Sequence, residues 1–197
     1  MFVAGGLPLP IKTSDRHEQV LEVTERYCAE DSRADDAPVE SEREPAAVPA
    51  EILFYGVTDE YGELSNFASY PIKLDGKLWP TSEHRFQGQK FGDPAVRERV
   101  RRASSPAEAA RLGRSRKLRL RADWEAVKVA VVRRAVQAKL EQHADLAATL
   151  LATAEATLVE HTSSDEYWGD AGDGSGRNML GRILMDVRAS FRKDLDR

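Results

Sequence analysis

The chain has 197 residues, a formal net charge of −4 and 41% apolar residues, enough for one core of ordinary size with an appendage and too little for two large domains. No apolar run approaches the roughly eighteen residues of a membrane-spanning helix, and the N-terminal MFVAGGLPLPIK lacks the basic start and apolar stretch of a signal peptide, so a cytoplasmic protein without a membrane partner is expected. Cys28 is the single cysteine, which excludes an internal disulfide, and without a CxxC pair nothing in the sequence supports a metal site.

Charge divides the chain. Residues 1–50 hold eleven acidic and five basic side chains, net −6, whereas 51–197 hold 22 and 24, net +2. Within the acidic part, Asp15 to Glu30 has the spacing of a short amphipathic helix through Val20, Val23 and Tyr27. Glu30 to Pro49 is rich in Asp, Glu, Ala and Pro and reads as a disordered linker. Residues 1–50 are therefore expected to be a largely disordered extension, and 51–197 the folded domain.

From Glu51 the pattern changes. ILFYGV is a β-rich run, and PIKLDGKLW places Asp75-Gly76 between apolar positions, the signature of a type I′ hairpin, so a small antiparallel sheet is predicted. Helix starts follow at Thr81 or Ser82, at Asp93-Pro94, at Ser105-Pro106 with Glu108 completing a capping box, and at Asp123. The longest helix is predicted over about 123–142, with Trp124, Val127, Val131, Ala135 and Ala138 as its core stripe and Arg133, Arg134 and Glu141 toward solvent. ATLVEHT (156–162) returns to strand character. The glycine-rich GDAGDGSG then leads into a last helix over about 178–191. The fold class is α+β, a mostly helical single domain with a small antiparallel sheet.

Three segments carry candidate chemistry. In WPTSEHRFQGQKF, a helix capped by Thr81 or Ser82 puts Glu83, Gln87 and Lys90 on one face at i, i+4 and i+7, a spacing that suits an exposed polar face as well as a site. SNFASYP is a polar loop offering Ser65 and Asn66. EYWGDAGDGSGRNMLG joins an aromatic pair to a turn whose backbone amides suit a phosphate, although it matches neither the P-loop nor GxGxxG nor the EF-hand pattern. Between Arg97 and Arg121 stand ten basic residues and two acidic ones, Glu98 and Glu108. This cluster suits a solubilising surface or the binding of phosphate, pyrophosphate or a nucleic-acid backbone.

Taken together, FYG, GELSNFASYPI, DGKLWPTSEHRFQGQKF, ASSPAEAARLGR, DWEAVK, AKLEQH, LLATAEATLVEHTSSDEYWGD and GRNMLGRILMDVR follow the order and spacing of the NADAR family, and the stretch resembles its bacterial YbiA-like branch over about residues 52–192. The resemblance implies an α+β fold, no cofactor, and N-glycosidase activity on N-linked ribosyl compounds, in particular the phosphoribosylamino-pyrimidine intermediates of riboflavin biosynthesis. Related members resemble hydrolases that remove ADP-ribose from guanine, which makes ADP-ribosylated nucleic acid an alternative substrate. A reader module that binds NAD or ADP-ribose without catalysis is an alternative of another class.

Cleaving a C–N bond at an anomeric carbon needs a carboxylate beside the developing cation, a proton for the departing nitrogen and a positioned water. Glu83 is the expected carboxylate. Lys90 has two candidate roles, as a ligand of the phosphate or ribose hydroxyls, or as an amine that attacks C1 of the ring-opened sugar to form a Schiff base. Trp79 and Trp168 offer flat faces for the heterocycle, and Ser65, Asn66, Gln87, Arg114, Asp170 and Asn178 are expected to bind substrate. Glu160 and His161 are second-line acid or base candidates. Two positions depart from the family pattern: Gly88 stands where alanine is common, and Ala171 where glycine follows the aspartate.

Overall fold

The computed structural model describes residues 48–195. The helix expected over 15–30, and the linker as far as residue 47, lie outside them. Strand β1 (Glu51–Phe54) alternates exposed and buried residues, sending Ile52 and Phe54 into the core. A 3₁₀ turn at Gly62–Leu64 begins the polar loop. Strands β2 (Ile72–Leu74) and β3 (Lys77–Trp79) then form the expected hairpin, paired from Ile72↔Trp79 to Leu74↔Lys77. Asp75 and Gly76 at its tip have φ of 51° and 72°, the two positive values a type I′ turn requires.

Strand β1 does not join that hairpin. It pairs in parallel with β4 (Thr157–Glu160), from Glu51↔Thr157 to Phe54↔Glu160, so the described residues contain two separate two-stranded sheets. Parallel neighbours need a long crossover. Here that crossover contains the hairpin and helices α1 (Ser82–Gln89), α2 (Pro94–Arg101), α3 (Pro106–Gly113), α4 (Trp124–Gln142) and α5 (Ala144–Ala152). Helix α6 (Met179–Leu195) closes the domain against β4 and α4.

The helix starts follow their caps. Thr81 Oγ1 accepts from the His84 amide, Asp93 Oδ1 from Ala95, and Ser105 Oγ from Glu108. The capping box at Ser105 is half formed: the Glu108 carboxylate turns outward to the Arg111 guanidinium instead of back to the Ser105 amide. Asp123 likewise makes no side-chain cap and pairs with Arg121.

One core joins β1, β4, α4 and α6 through Ile52, Phe54, Leu158, Val132, Val136 and Leu184. On α4 the buried residues are Trp124, Val132, Ala135, Val136, Ala138, Lys139 and Leu140, whereas the predicted Val127 and Val131 are only partly covered. The buried face is broader than one stripe because α4 packs against α1, β2, α5 and α6 at once. A smaller cluster of Phe91, Val100, Ala109 and Leu112 lies under α2 and α3. Gly88 now has a reason: a Cβ there would stand 2.7 Å from Trp79 Cζ3, so the indole packs directly on the backbone of α1. Ala171, at φ 64°, holds a left-handed conformation that glycine adopts freely and alanine does not.

Candidate active site

Helix α1 is not a surface helix. Every residue from Ser82 to Gly88 is buried, Glu83 at 6% exposure, which removes the reading of Glu83 as a solvated surface group. One face anchors the helix. His84 Nε2 donates to the Ala103 carbonyl while its Nδ1 accepts from Thr81 Oγ1, and Arg85 reaches Asp75 with its guanidinium over the Trp79 ring. The other face, Glu83, Phe86, Gln87 and Lys90, lines a cavity of about 320 Å³, within the size range of small-ligand sites.

The opposite wall comes from β4 and the turn after it. Glu160 ends β4 and points into the cavity, followed by Thr162, Ser164, Asp165, Tyr167 and Trp168. Asn178 sets this wall: at φ 47°, its Oδ1 accepts from the Glu160 amide and its Nδ2 donates to the Leu158 carbonyl, so a side-chain amide replaces the missing strand on that side of β4. Gly181 lets α6 come this near, since a Cβ would fall 2.1 Å from the Leu158 carbonyl oxygen. Asp170 fastens the next residues, accepting from the amides of Thr162 and Gly172 and from His161 Nδ1.

Seven of the expected site residues therefore meet at the cavity: Asn66, Glu83, Gln87, Lys90, Arg114, Glu160 and Trp168. Five stand outside its lining. Trp79 is buried with Ile72 and Ala135 beneath Arg85, closed off from the cavity. The Ser65 hydroxyl accepts from the Phe67 amide within its own loop. His161, one residue past Glu160, faces away and pairs with Asp170, whose oxygens are occupied by the turn, and Asn178 is engaged with β4. The glycine-rich turn is not a phosphate cradle either: its amides at Gly172, Ser175, Gly176 and Asn178 bond to Asp170, Asp173, Asp170 and Gly169. The sequence reading passes over Asp165, Tyr167, Lys128, Trp124 and Phe67, which the fold collects from separate segments.

The two buried glutamates have different surroundings. Burial raises the pKa of Glu83, while the bond from Gln87 Nε2 at 2.7 Å and the positive charges of Lys90 and Arg114 act in the opposite sense. Glu160 has no such support. Its Oε2 is sealed from solvent with no hydrogen-bond partner among the described residues, and burial, with Asp165, Glu83 and Asp170 nearby, raises its pKa to about 8. Burial thus pushes both glutamates toward the neutral acid, and Gln87, Lys90 and Arg114 give the anionic form of Glu83 support that Glu160 lacks.

Burial lowers the pKa of Lys90, with Glu83 acting in the opposite sense. Its amine lies 4.9 Å from the Phe86 ring centroid and 6.0 Å from that of Trp124, and it makes no ion pair within 4.0 Å among the described residues. Phe86 also packs edge-on against Trp168 at 5.2 Å, so the amine sits over an aromatic floor. Lys128, ion-paired to Glu125, lies over Tyr167 at 3.8 Å. Among the described residues no group of three or more His, Cys, Asp or Glu side chains is arranged to hold a metal ion.

Comparison with known proteins places the chain as a whole. The profile of the NADAR domain matches residues 53–192. The N-glycosidase YbiA of Escherichia coli strain K12 is 61% identical over 137 residues, covering 70% of this chain and 86% of that protein. The riboflavin biosynthesis protein VVA0006 of Vibrio vulnificus is 45% identical over 142 residues, 72% of this chain and 39% of that longer protein. The NMR structure of E. coli YbiA superposes with a TM-score of 0.69 at 57% identity, covering 74% of this chain and 86% of that one.

Proposed function

This chain belongs to the NADAR domain family, and from that premise we propose that it is an N-glycosidase, a hydrolase that cleaves the bond between a ribosyl C1 and an amine nitrogen. Its substrates are the phosphoribosylamino-pyrimidine intermediates of riboflavin biosynthesis. The relatives' names, N-glycosidase and riboflavin biosynthesis protein, support the activity and the substrate class. The observation that carries the chemistry is the juxtaposition, in one cavity, of two carboxyl groups, Glu83 and Glu160, with an amine, Lys90, whose charge burial disfavours.

Those groups divide the reaction between them. An N-ribosylamine opens to its imine, and the neutral Lys90 amine adds to C1, forming a C–N bond. Glu160 gives its proton to the pyrimidine amine, which leaves with the electron pair of the old C1–N bond. Glu83 stabilises the resulting cationic lysine imine, then takes a proton from the water that adds to C1. In the collapse of that adduct Glu83 passes its proton to the Lys90 nitrogen, which leaves C1 with the electron pair of their bond, and Glu160 takes the hydroxyl proton, so the Lys90 amine and both carboxyl groups are restored and ribose 5-phosphate is released as the aldehyde. Overall, substrate and water become free amine and free sugar. Arg114, at the rim and without an ion-pair partner within 4.0 Å among the described residues, is the ligand for the phosphate. Trp168 and Tyr167 take the heterocycle.

Borohydride tests the covalent step. Added during turnover, it reduces the imine to a stable secondary amine, and mass spectrometry is expected to find the phosphosugar on Lys90. Turnover without any adduct, or an adduct on Lys117 or Lys128, would remove Lys90 from the reaction.

A further inference from the structure

The mechanism above makes no use of the buried lysine of α4. Lys139, in the last turns of α4, is 3% exposed and has no carboxylate within ion-pair distance among the described residues. Its Nζ donates to two backbone carbonyls, that of Glu63 and that of Ser65 at 3.0 Å, and lies 5.1 Å from the Tyr70 ring centroid. All of these contacts fall on the loop between β1 and β2. The same loop is held at a second point, where the Asn66 carbonyl accepts from the Glu83 amide at 3.0 Å. That amide is one of the first donors of α1, which have no partner inside the helix. Asn66 and Phe67, the next residues along, line the cavity beside Glu83.

We propose that Lys139 is a positioning residue for catalysis: its amine ties the Glu63–Ser65 segment to α4 and thereby sets Asn66 and Phe67 against Glu83. The proposal rests on the cavity being the substrate site. A lysine suits the task better than an apolar residue because two carbonyls that leave water need two donors. The pair is served in either protonation state. Burial lowers the pKa of Lys139 to about 7, and both the ammonium and the neutral amine carry at least two N–H groups. Lys139 never touches substrate, so its loss is expected to weaken binding through Asn66 and Phe67 while the groups that do the chemistry stay in place.

Lys139→Met is compared with Val136→Ala, a substitution in the core on the same helix that lowers stability and leaves the Lys139 bonds to the loop in place. Amide hydrogen exchange at Asn66, Phe67 and Glu83 is expected to accelerate at least about tenfold more in Lys139→Met than in Val136→Ala. KM for the phosphoribosylamino-pyrimidine is expected to rise about tenfold with kcat within about threefold. Equal exchange at these amides in the two variants, or a KM shift no larger than that of Val136→Ala, would overturn the proposal. If Lys139→Met does not fold, Lys139→Gln, whose amide retains two N–H donors, replaces it and is expected to keep part of the protection. Absence of turnover in the wild type would refute the N-glycosidase reading, and exchange at the three amides would still decide the positioning role.

Discussion

At the scale of single residues, burial raises the pKa of both Glu83 and Glu160, but Glu83 has a hydrogen bond from Gln87 and the nearby charges of Lys90 and Arg114 to support its anion, whereas Glu160 has a buried oxygen without a partner among the described residues and acids around it. That difference predicts distinct failures. Glu83→Gln keeps the shape but loses the charge opposite the cation, and kcat is expected to fall at least about a hundredfold at every pH. In the wild type, kcat/KM is expected to decline above about pH 8 as Glu160 ionises. Glu160→Gln removes that decline and costs about a hundredfold at neutral pH. Stability follows the same group. The folded-state pKa lies above the unfolded value of about 4.3, so the folded form holds a proton that the unfolded chain releases, and stability falls as pH rises through this window up to about 8. Denaturant midpoints of Glu160→Gln should show a smaller fall over that range. The Glu83, Gln87 and Lys90 face was legible in the sequence because helical spacing is local. Glu160 stood there only as a second-line acid or base candidate, since its raised pKa comes from burial and from Asp165, Glu83 and Asp170, and burial and Glu83 reach it only through the fold. Trp79 misleads for a similar reason, its indole being taken up by Arg85 and Gly88.

At the scale of elements, caps and turn chemistry carried the prediction. Asp75-Gly76 marked the hairpin, and Thr81, Asp93 and Ser105 marked three helix starts. The parallel β1–β4 pair was hidden because its partners lie a hundred residues apart and nothing local encodes their register. Helix α5 was absent from the sequence reading: His143, the residue before it, offers no side-chain cap and instead bonds the Pro71 carbonyl. Several family signatures proved to be supports for the site wall. Asn178, Gly181 and Asp170 hold β4 and the turn beyond it, so that Glu160 is presented from a braced strand end. The turn contains one residue under strain. Ala171→Gly relieves the positive φ and is expected to raise stability by about 1 kcal/mol, read as an increase in the urea midpoint with unchanged turnover. A loss of stability would mean that the alanine methyl contributes more than its backbone costs.

At the scale of the molecule, the acidic segment and the basic cluster are the features that bear on partners. We expect the chain from residue 48 onward to keep its melting temperature and its kcat/KM within about twofold, because the family match begins at residue 53 and the Ala50 carbonyl, which accepts from Thr157, is retained. A large drop in either would show that the acidic segment docks on the domain. The basic cluster is less bare than its composition suggests. Arg101 and Arg102 converge on Glu98, Arg111 pairs with Glu108, Arg121 with Asp123, and Arg97 bonds the carbonyls of Phe91 and Gly92. Half of its ten cations are thus engaged within the domain, which suits a surface better than a track for a polyanion. No helix among the described residues is long and apolar enough to cross a membrane. The most direct measurement is the release of free base from a phosphoribosylamino-pyrimidine and from ADP-ribosylated guanine in DNA, each followed across a salt series. A single phosphate displaces few counterions, so the account predicts faster cleavage of the pyrimidine nucleotide with a shallow dependence of kcat/KM on salt. Faster cleavage of the DNA substrate, with a steep slope that flattens in Arg114→Gln/Arg116→Gln, would contradict it.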